Sequence, residues 1–315
     1  MIGVLVIALG MPPFFRSIDE GRHVDNAIMV SGYVIMRVAA VALWLRAARH
    51  DPEHRRACLA YAAAVSVAQV GWVVLIFASL PIGTTSWIIA ALTGVELAGP
   101  LFAERKDGGT PWHPHHIAER YSLLVIITLG EVILGTVLAI TAVVDRSGWS
   151  AEVVLVASGG TALTFAMWWL YFTLPAGRVL GRYRRRAFGW SYGHIVVFGA
   201  VVGTGAGLHA AAVYISGESH IGATATVLTV ALPVFVFELI LVTIYSLLLR
   251  TADRYHIWIF GSAAIVLVSA VAAVGLGASV GATLLLVAAS PALIVVAYET
   301  VGYRHEEQAL KQAEA

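Results

Sequence analysis

The chain has 315 residues, of which 59% are hydrophobic and 12% charged, with a formal net charge of +1 and a mean hydropathy of +0.83. A soluble domain carries roughly 25% charged residues, so a soluble globular fold is excluded, and the near-neutral balance gives no sign of nucleic acid as a partner. Cys58 is the only cysteine, which excludes an intrachain disulfide, a thiolate zinc cluster and an iron–sulfur centre.

A hydrocarbon layer about 30 Å thick is crossed by roughly 20 apolar residues at 1.5 Å rise. That ruler places spans near residues 1–15, 26–46, 58–80, 87–103, 117–143, 151–176, 188–214, 221–249, 257–276 and 281–302. The first segment lacks the basic start and small-residue cleavage pattern of a signal peptide and reads as part of a span. Unbroken apolar runs such as Ile257 to Leu276 exclude the short alternating strands of a membrane barrel. The expected fold is therefore all-α, a polytopic transmembrane helix bundle with about ten spanning segments, forming one domain over 1–303 with a short cytoplasmic tail at 304–315. Short connections with turn residues, such as Pro81-Ile82-Gly83 and Asp107-Gly108-Gly109, make successive helices antiparallel neighbours.

Basic residues alternate strictly between the two sets of loops. Sixteen of the 20 Lys and Arg residues, including the run Arg184-Arg185-Arg186, fall on one side. Arg16, Arg22 and Arg146 fall on the other, and Arg37 lies within a span. The richer side is expected to be cytoplasmic, with both termini there and the chain multi-pass in the cell inner (plasma) membrane. Gly199, Gly203 and Gly207 recur every four residues, so one helix face is expected to admit close approach by a neighbour.

A charged residue at the centre of a span costs roughly 2.5–3.5 kcal/mol on the insertion scale, so each one inside requires a reason. Arg37, Glu96, Glu131 and Glu238 lie well inside spans, and His194 lies about 9 Å in from the end of its helix. All are expected to face the bundle interior. Helix rise puts Glu96 and His194 near 10 Å depth, where His116, Glu119 and Arg120 at the start of the next span complete one expected polar cluster. Arg37, Glu131 and Glu238 lie deeper, at roughly 13, 20 and 16 Å, with Arg37 neutralising one carboxylate. Pro100 lacks the N–H that would bond the carbonyl of Glu96, freeing an oxygen suited to a hard cation or a proton relay. His116 and Glu119 share a helix face, so a metal site, if the chain holds one, would draw on His116, Glu119, Glu96 and His194. Trp168, Trp169, Tyr171 and Phe172 read as an aromatic belt, Tyr192 either as a support for His194 or as part of that belt, and His209 as a packing or interface residue.

The run His116-Ile-Ala-Glu119-Arg120-Tyr121-Ser-Leu-Leu-Val-Ile-Ile-Thr-Leu-Gly130-Glu131 resembles the signature of the bacterial low temperature requirement A family. The resemblance extends through Glu96-Leu-Ala-Gly99-Pro100, Trp168-Trp169-Leu-Tyr171-Phe172, Tyr192-Gly193-His194 and Tyr298-Glu299, and so covers nearly all the chain. It implies a multi-spanning bacterial membrane protein; members of that family generally carry more sequence at the N-terminus, with an acidic and aromatic motif on an earlier helix, and this sequence starts after that point, as a truncated start, an alternative start or a true short form. The family is named for a growth phenotype, so activity has to come from the residues. Ionisable groups at graded depth point first to a transporter or a proton- or cation-linked carrier, with the bilayer, a small solute and a proton or cation as partners. The alternatives are an intramembrane enzyme, with or without a metal, acting on a lipid-soluble substrate, and a non-catalytic sensor or partner protein whose buried charges are structural. No cofactor is identified, and no Ser, His and Asp arrangement has a recognisable nucleophile context.

Overall fold

The computed structural model describes residues 1–21, 23–78, 80–106, 108–173, 176–183, 186–249 and 254–302. Every regular element among them is helical: α1 (Ile2–Asp19), α2 (Ala27–His50), α3 (Arg55–Phe77), α4 (Ile82–Ala103), α5 (Pro114–Ser147), α6 (Ala151–Phe172), the short α7 (Ala176–Arg182), α8 (Ala187–Ser216), α9 (Ala223–Leu249), α10 (Arg254–Gly275) and α11 (Val280–Ala297), closed by a π turn over Tyr298–Gly302. Among the described residues, ten helices are long and apolar enough to cross a membrane. Lipid offers no hydrogen bonds, so a crossing chain must satisfy its own backbone, which a helix does within each segment. Most helices outrun the apolar stretches by a few residues, because the helical ladder continues into the polar interfacial layer. The expected tail at 304–315, together with Arg22, Arg184 and Arg185, lies outside the described residues.

The chain divides into two compact units, residues 1–111 and 112–315. In the first, α1 to α4 each pack on the next in order. Its small core joins Val30, Trp72 and Leu75 to Tyr33, Ile88, Ile89 and Leu92. The turn between α2 and α3 is fixed by Asp51, which accepts from the His54 backbone N–H at 3.1 Å and meets its Nδ1 at 2.8 Å. These hydrogen bonds hold the Asp51 carboxyl below the usual carboxylate range. After α4, Glu104 accepts from the Tyr61 hydroxyl at 2.7 Å and from Thr110, which secures the exit loop.

In the second unit α5 packs on α8 and α6, α6 on α11, and α8 on α9, around a core that includes Val125, Leu163, Met167, Leu208, Phe237 and Leu284. Three charged side chains serve helix ends here, where backbone groups lack ladder partners. Arg146 donates to the carbonyl of Ile215 at 2.6 Å, Arg186 donates to that of Leu248, and Glu152 accepts from the N–H of Gly281 at 2.7 Å. Arg186 therefore does more than mark a membrane side: it ties the start of α8 to the end of α9.

The glycine face expected on α8 is only partly used. A Cβ on Gly203 would lie 3.3 Å from Pro233 of α9, and one on Gly207 would strike the α9 backbone at Thr229. Gly199 faces open space, and the opposite contact, against α5, is made by Gly205.

Candidate functional site

In the first unit, Tyr33 and Arg37 stand four residues apart on α2, so their side chains share a face. That face meets Glu96 of α4. The Tyr33 hydroxyl donates to Glu96 Oε2, Arg37 Nη2 donates to the same hydroxyl, and Arg37 Nη2 lies 3.4 Å from Glu96 Oε2. Arg37 thus neutralises Glu96, which resolves the pairing that sequence left open. Trp72 of α3 sets its ring edge-on to Tyr33 at 5.8 Å, fixing the phenol from the side.

This arrangement leaves polar capacity unused. Arg37 Nε, Glu96 Oε1, both amide atoms of Gln69 and Trp72 Nε1 are buried without a protein partner. Each such atom costs about 1–3 kcal/mol, which a fold tolerates most readily where a ligand or proton takes up the capacity. Arg37 and Gln69 also line a cavity of about 390 Å³ that opens on the outer helix surface, its other walls chiefly valines, of which Val38 and Val70 are exposed. The helix of Glu96 runs through Pro100, whose nitrogen has no hydrogen for the Glu96 carbonyl.

In the second unit His194 is 1% exposed and fully engaged. Its Nδ1 lies 2.8 Å from the carbonyl oxygen of Trp190, which can only accept, so Nδ1 carries a proton. The Tyr171 hydroxyl stands 3.0 Å from Nε2 and serves as the second partner. Tyr121 and Trp190 flank the ring at centroid separations of 4.9 and 4.0 Å, and Phe198 lies at 5.8 Å. Three of the strings that carry the family resemblance meet here: Tyr121, Tyr171 and His194 each come from a different one. Trp169 adds a fourth by donating to Glu299 at 3.0 Å.

One expectation is corrected by this box and one open alternative is decided. Tyr171 is not part of the aromatic belt, because helical rotation turns it inward while Trp168, Trp169 and Phe172 remain exposed. The hydroxyl that reaches His194 Nε2 is that of Tyr171 rather than Tyr192. Tyr171→Phe should therefore leave a buried ring nitrogen unpaired and lower stability by about 1–3 kcal/mol. Thermal unfolding of the purified protein checks this, and an unchanged midpoint would count against the bond.

The remaining expected site residues of this unit separate. His116, Glu119 and Arg120 are exposed at the start of α5, with His116 Nδ1 3.8 Å from Glu119 Oε2, and they do not join His194. Glu131 is exposed too, instead of facing the interior. Its backbone is pressed against Gly205, where a Cβ would come within 2.6 Å of the Glu131 carbonyl oxygen, so the crossing admits only the stem of the side chain. Glu238 is wholly buried and meets the Ser290 hydroxyl at 2.7 Å. Glu96 belongs to the first unit. Among the described residues, no group of three or more His, Cys, Asp or Glu side chains is placed to hold a metal ion.

Tyr33 carried a usable signal in sequence, its four-residue spacing from Arg37. Gln69, Trp72 and Ser290 carried none, because an amide, an indole and a hydroxyl are ordinary in membrane helices.

Residues 1–291 match the family model described as Bacterial low temperature requirement A protein (LtrA). No curated protein and no solved structure matches the chain.

Proposed function

We propose, for this chain, which belongs to the bacterial low temperature requirement A family, that it is a carrier moving a small solute together with a proton or another cation. The observation that supports this reading is the Arg37–Glu96 pair, half-buried in a span beside a cavity and keeping Arg37 Nε and Glu96 Oε1 free of protein partners. Taking up a proton or small cation at Glu96 removes the negative charge that Arg37 faces. The guanidinium and the Gln69 amide then offer donors to a solute in the cavity, so loading of the cation and of the solute are coupled. Purified protein in proteoliposomes should collapse an imposed pH gradient faster than protein-free vesicles when a transported solute is supplied. Panels of amines, carboxylates and sugars that produce no protein-dependent proton movement would defeat the carrier reading.

The loops richer in Lys and Arg are assigned to the cytoplasm on the same footing. In a Cys58-free background, His50→Cys, Lys106→Cys and Tyr183→Cys should be shielded from an impermeant thiol reagent in intact cells, whereas Glu20→Cys, Ser147→Cys and Glu218→Cys should react. Labelling of Tyr183→Cys from outside would reverse the orientation.

A further inference from the structure

Glu238 poses a separate problem, in a different unit from the Arg37–Glu96 pair. Eleven residues separate it from Leu249 at the end of α9, which puts it about 16 Å from that end, close to mid-membrane. It is 0% exposed and set within the apolar core of the second unit. Ser290 of α11 is its described hydrogen-bond partner, and Glu238 Oε2 is buried without one. Among the described residues, no charged group forms an ion pair with it. Neither α11 nor the stretch of α10 from Ile257 to Gly275 holds an ionisable side chain. On α8, His194 is committed to Tyr171 and Trp190, and His209 is exposed. Arg178 and Arg182 of α7 form no described ion pair with Glu238.

Three states of this carboxyl can be weighed. An unpaired carboxylate in the apolar interior carries a penalty of several kcal/mol, which one hydroxyl does not offset. A bound metal cation requires several oxygens at about 2.4 Å, which in near-octahedral array stand roughly 3.4 Å apart. The oxygens here are closer than that: Ser290 Oγ is 2.7 Å from Glu238 Oε1 and 3.0 Å from the carbonyl oxygen of Ala263. Those are hydrogen-bond separations. Hydrogen counting then selects the third state. Ser290 has one hydrogen for two oxygens, and the Ala263 carbonyl can only accept; with the Ser290 hydrogen given to Ala263, the contact with Oε1 takes its hydrogen from the carboxyl. A neutral Glu238 gives each contact its own hydrogen and leaves only an uncharged C=O at Oε2.

We propose that Glu238, Ser290 and the Ala263 carbonyl form a proton-binding site inside the membrane, loaded at neutral pH, with the carboxyl donating to Ser290 and Ser290 to Ala263. The site stands whether or not the Arg37–Glu96 reading holds. Its chemistry is that of a proton store rather than a metal site, and it gives the second unit a titrating group of its own.

Infrared spectroscopy of the purified protein, in a detergent without carbonyl groups, reads this directly. At neutral pH the wild type should show the C=O stretch of one protonated carboxyl that moves in D₂O. Glu238→Gln, a neutral isostere, should lack it, and Ser290→Ala should displace it to higher frequency. Identical carboxyl bands in wild type and Glu238→Gln would overturn the proposal, as would loss of the band on adding Na⁺ or K⁺ at fixed pH, which would indicate a metal cation site. If Glu238→Gln does not fold, Ser290→Ala decides: a displaced band supports the site and an unmoved one refutes it.

Discussion

Glu96→Gln should reach the membrane and fold like the parent, yet reduce proton-linked solute flux to the level of protein-free vesicles. Glutamine keeps the size of the side chain and still accepts from the Tyr33 hydroxyl, so the α2–α4 contact survives. What it loses is the exchangeable proton and the charge facing Arg37. Both the Tyr33 hydroxyl and the glutamine oxygen still accept from the Arg37 guanidinium, so its charge keeps its hydrogen bonds within the span and the fold tolerates the change. Flux and stability thus separate, and a structural role would not separate them. If Glu96→Gln instead fails to accumulate, and Arg37→Gln combined with Glu96→Gln restores accumulation, the pair is a structural ion pair and the carrier role of Glu96 is lost. Normal expression with inactivity in both the single and the double variant fits the coupling role. A well-expressed Glu96→Gln protein with wild-type flux would refute it outright.

The spans were legible because hydropathy and helix rise act on one dimension, distance along the chain, and the bilayer imposes its thickness in that dimension. Site composition needs the second coordinate, rotation about each helix axis, which depth does not contain. Grouping His116, Glu119 and His194 by depth went wrong for this reason: they share a level, yet the first two lie on an exposed face while His194 points into the core. Glu131 went wrong in the same way. Tyr171 was misread because an aromatic run near a boundary fits a belt on composition, although consecutive helical residues turn by about 100° and cannot all face lipid. Arg37 and Glu96, by contrast, were recognisable as functional candidates from the insertion penalty alone. Their mutual pairing required the fold, since it depends on α2 and α4 presenting side chains to each other past α3.

The four-residue glycine pattern on α8 gives the sharpest contrast between what spacing suggests and what packing uses. Pro233 has no N–H to give the carbonyl of Thr229, four residues before it, so that oxygen is left outside the α9 ladder. It comes to rest against Gly207, where a Cβ would collide with it and stand 2.8 Å from Val230 N. The glycine Cα–H is the only group small enough to meet the freed oxygen, a weak hydrogen-bonding contact in its own right. The Thr229 hydroxyl gives its hydrogen to the Thr226 carbonyl at 2.7 Å and lies 3.4 Å from the Gly207 carbonyl, and Gly203 accommodates the Pro233 ring one turn away. On the other side of α8, Gly205 is held against α5, so the helix cannot retreat from α9 without striking Glu131. Gly207→Val should therefore reach or exceed the upper end of the roughly 1–3 kcal/mol typical of overpacking, because backbone, unlike a side chain, cannot step aside. Gly199→Val makes the same chemical change on the same helix with the same loss of backbone freedom, but into open space, and should stay within about 0.5 kcal/mol of the parent. Thermal unfolding and the monodisperse fraction in detergent, measured on both variants, give the comparison. A Gly207→Val protein as stable as the parent would mean that the proline-freed carbonyl does not fix the α8–α9 separation. Equal damage from Gly199→Val would mean that helix flexibility, not close approach, is what these glycines supply.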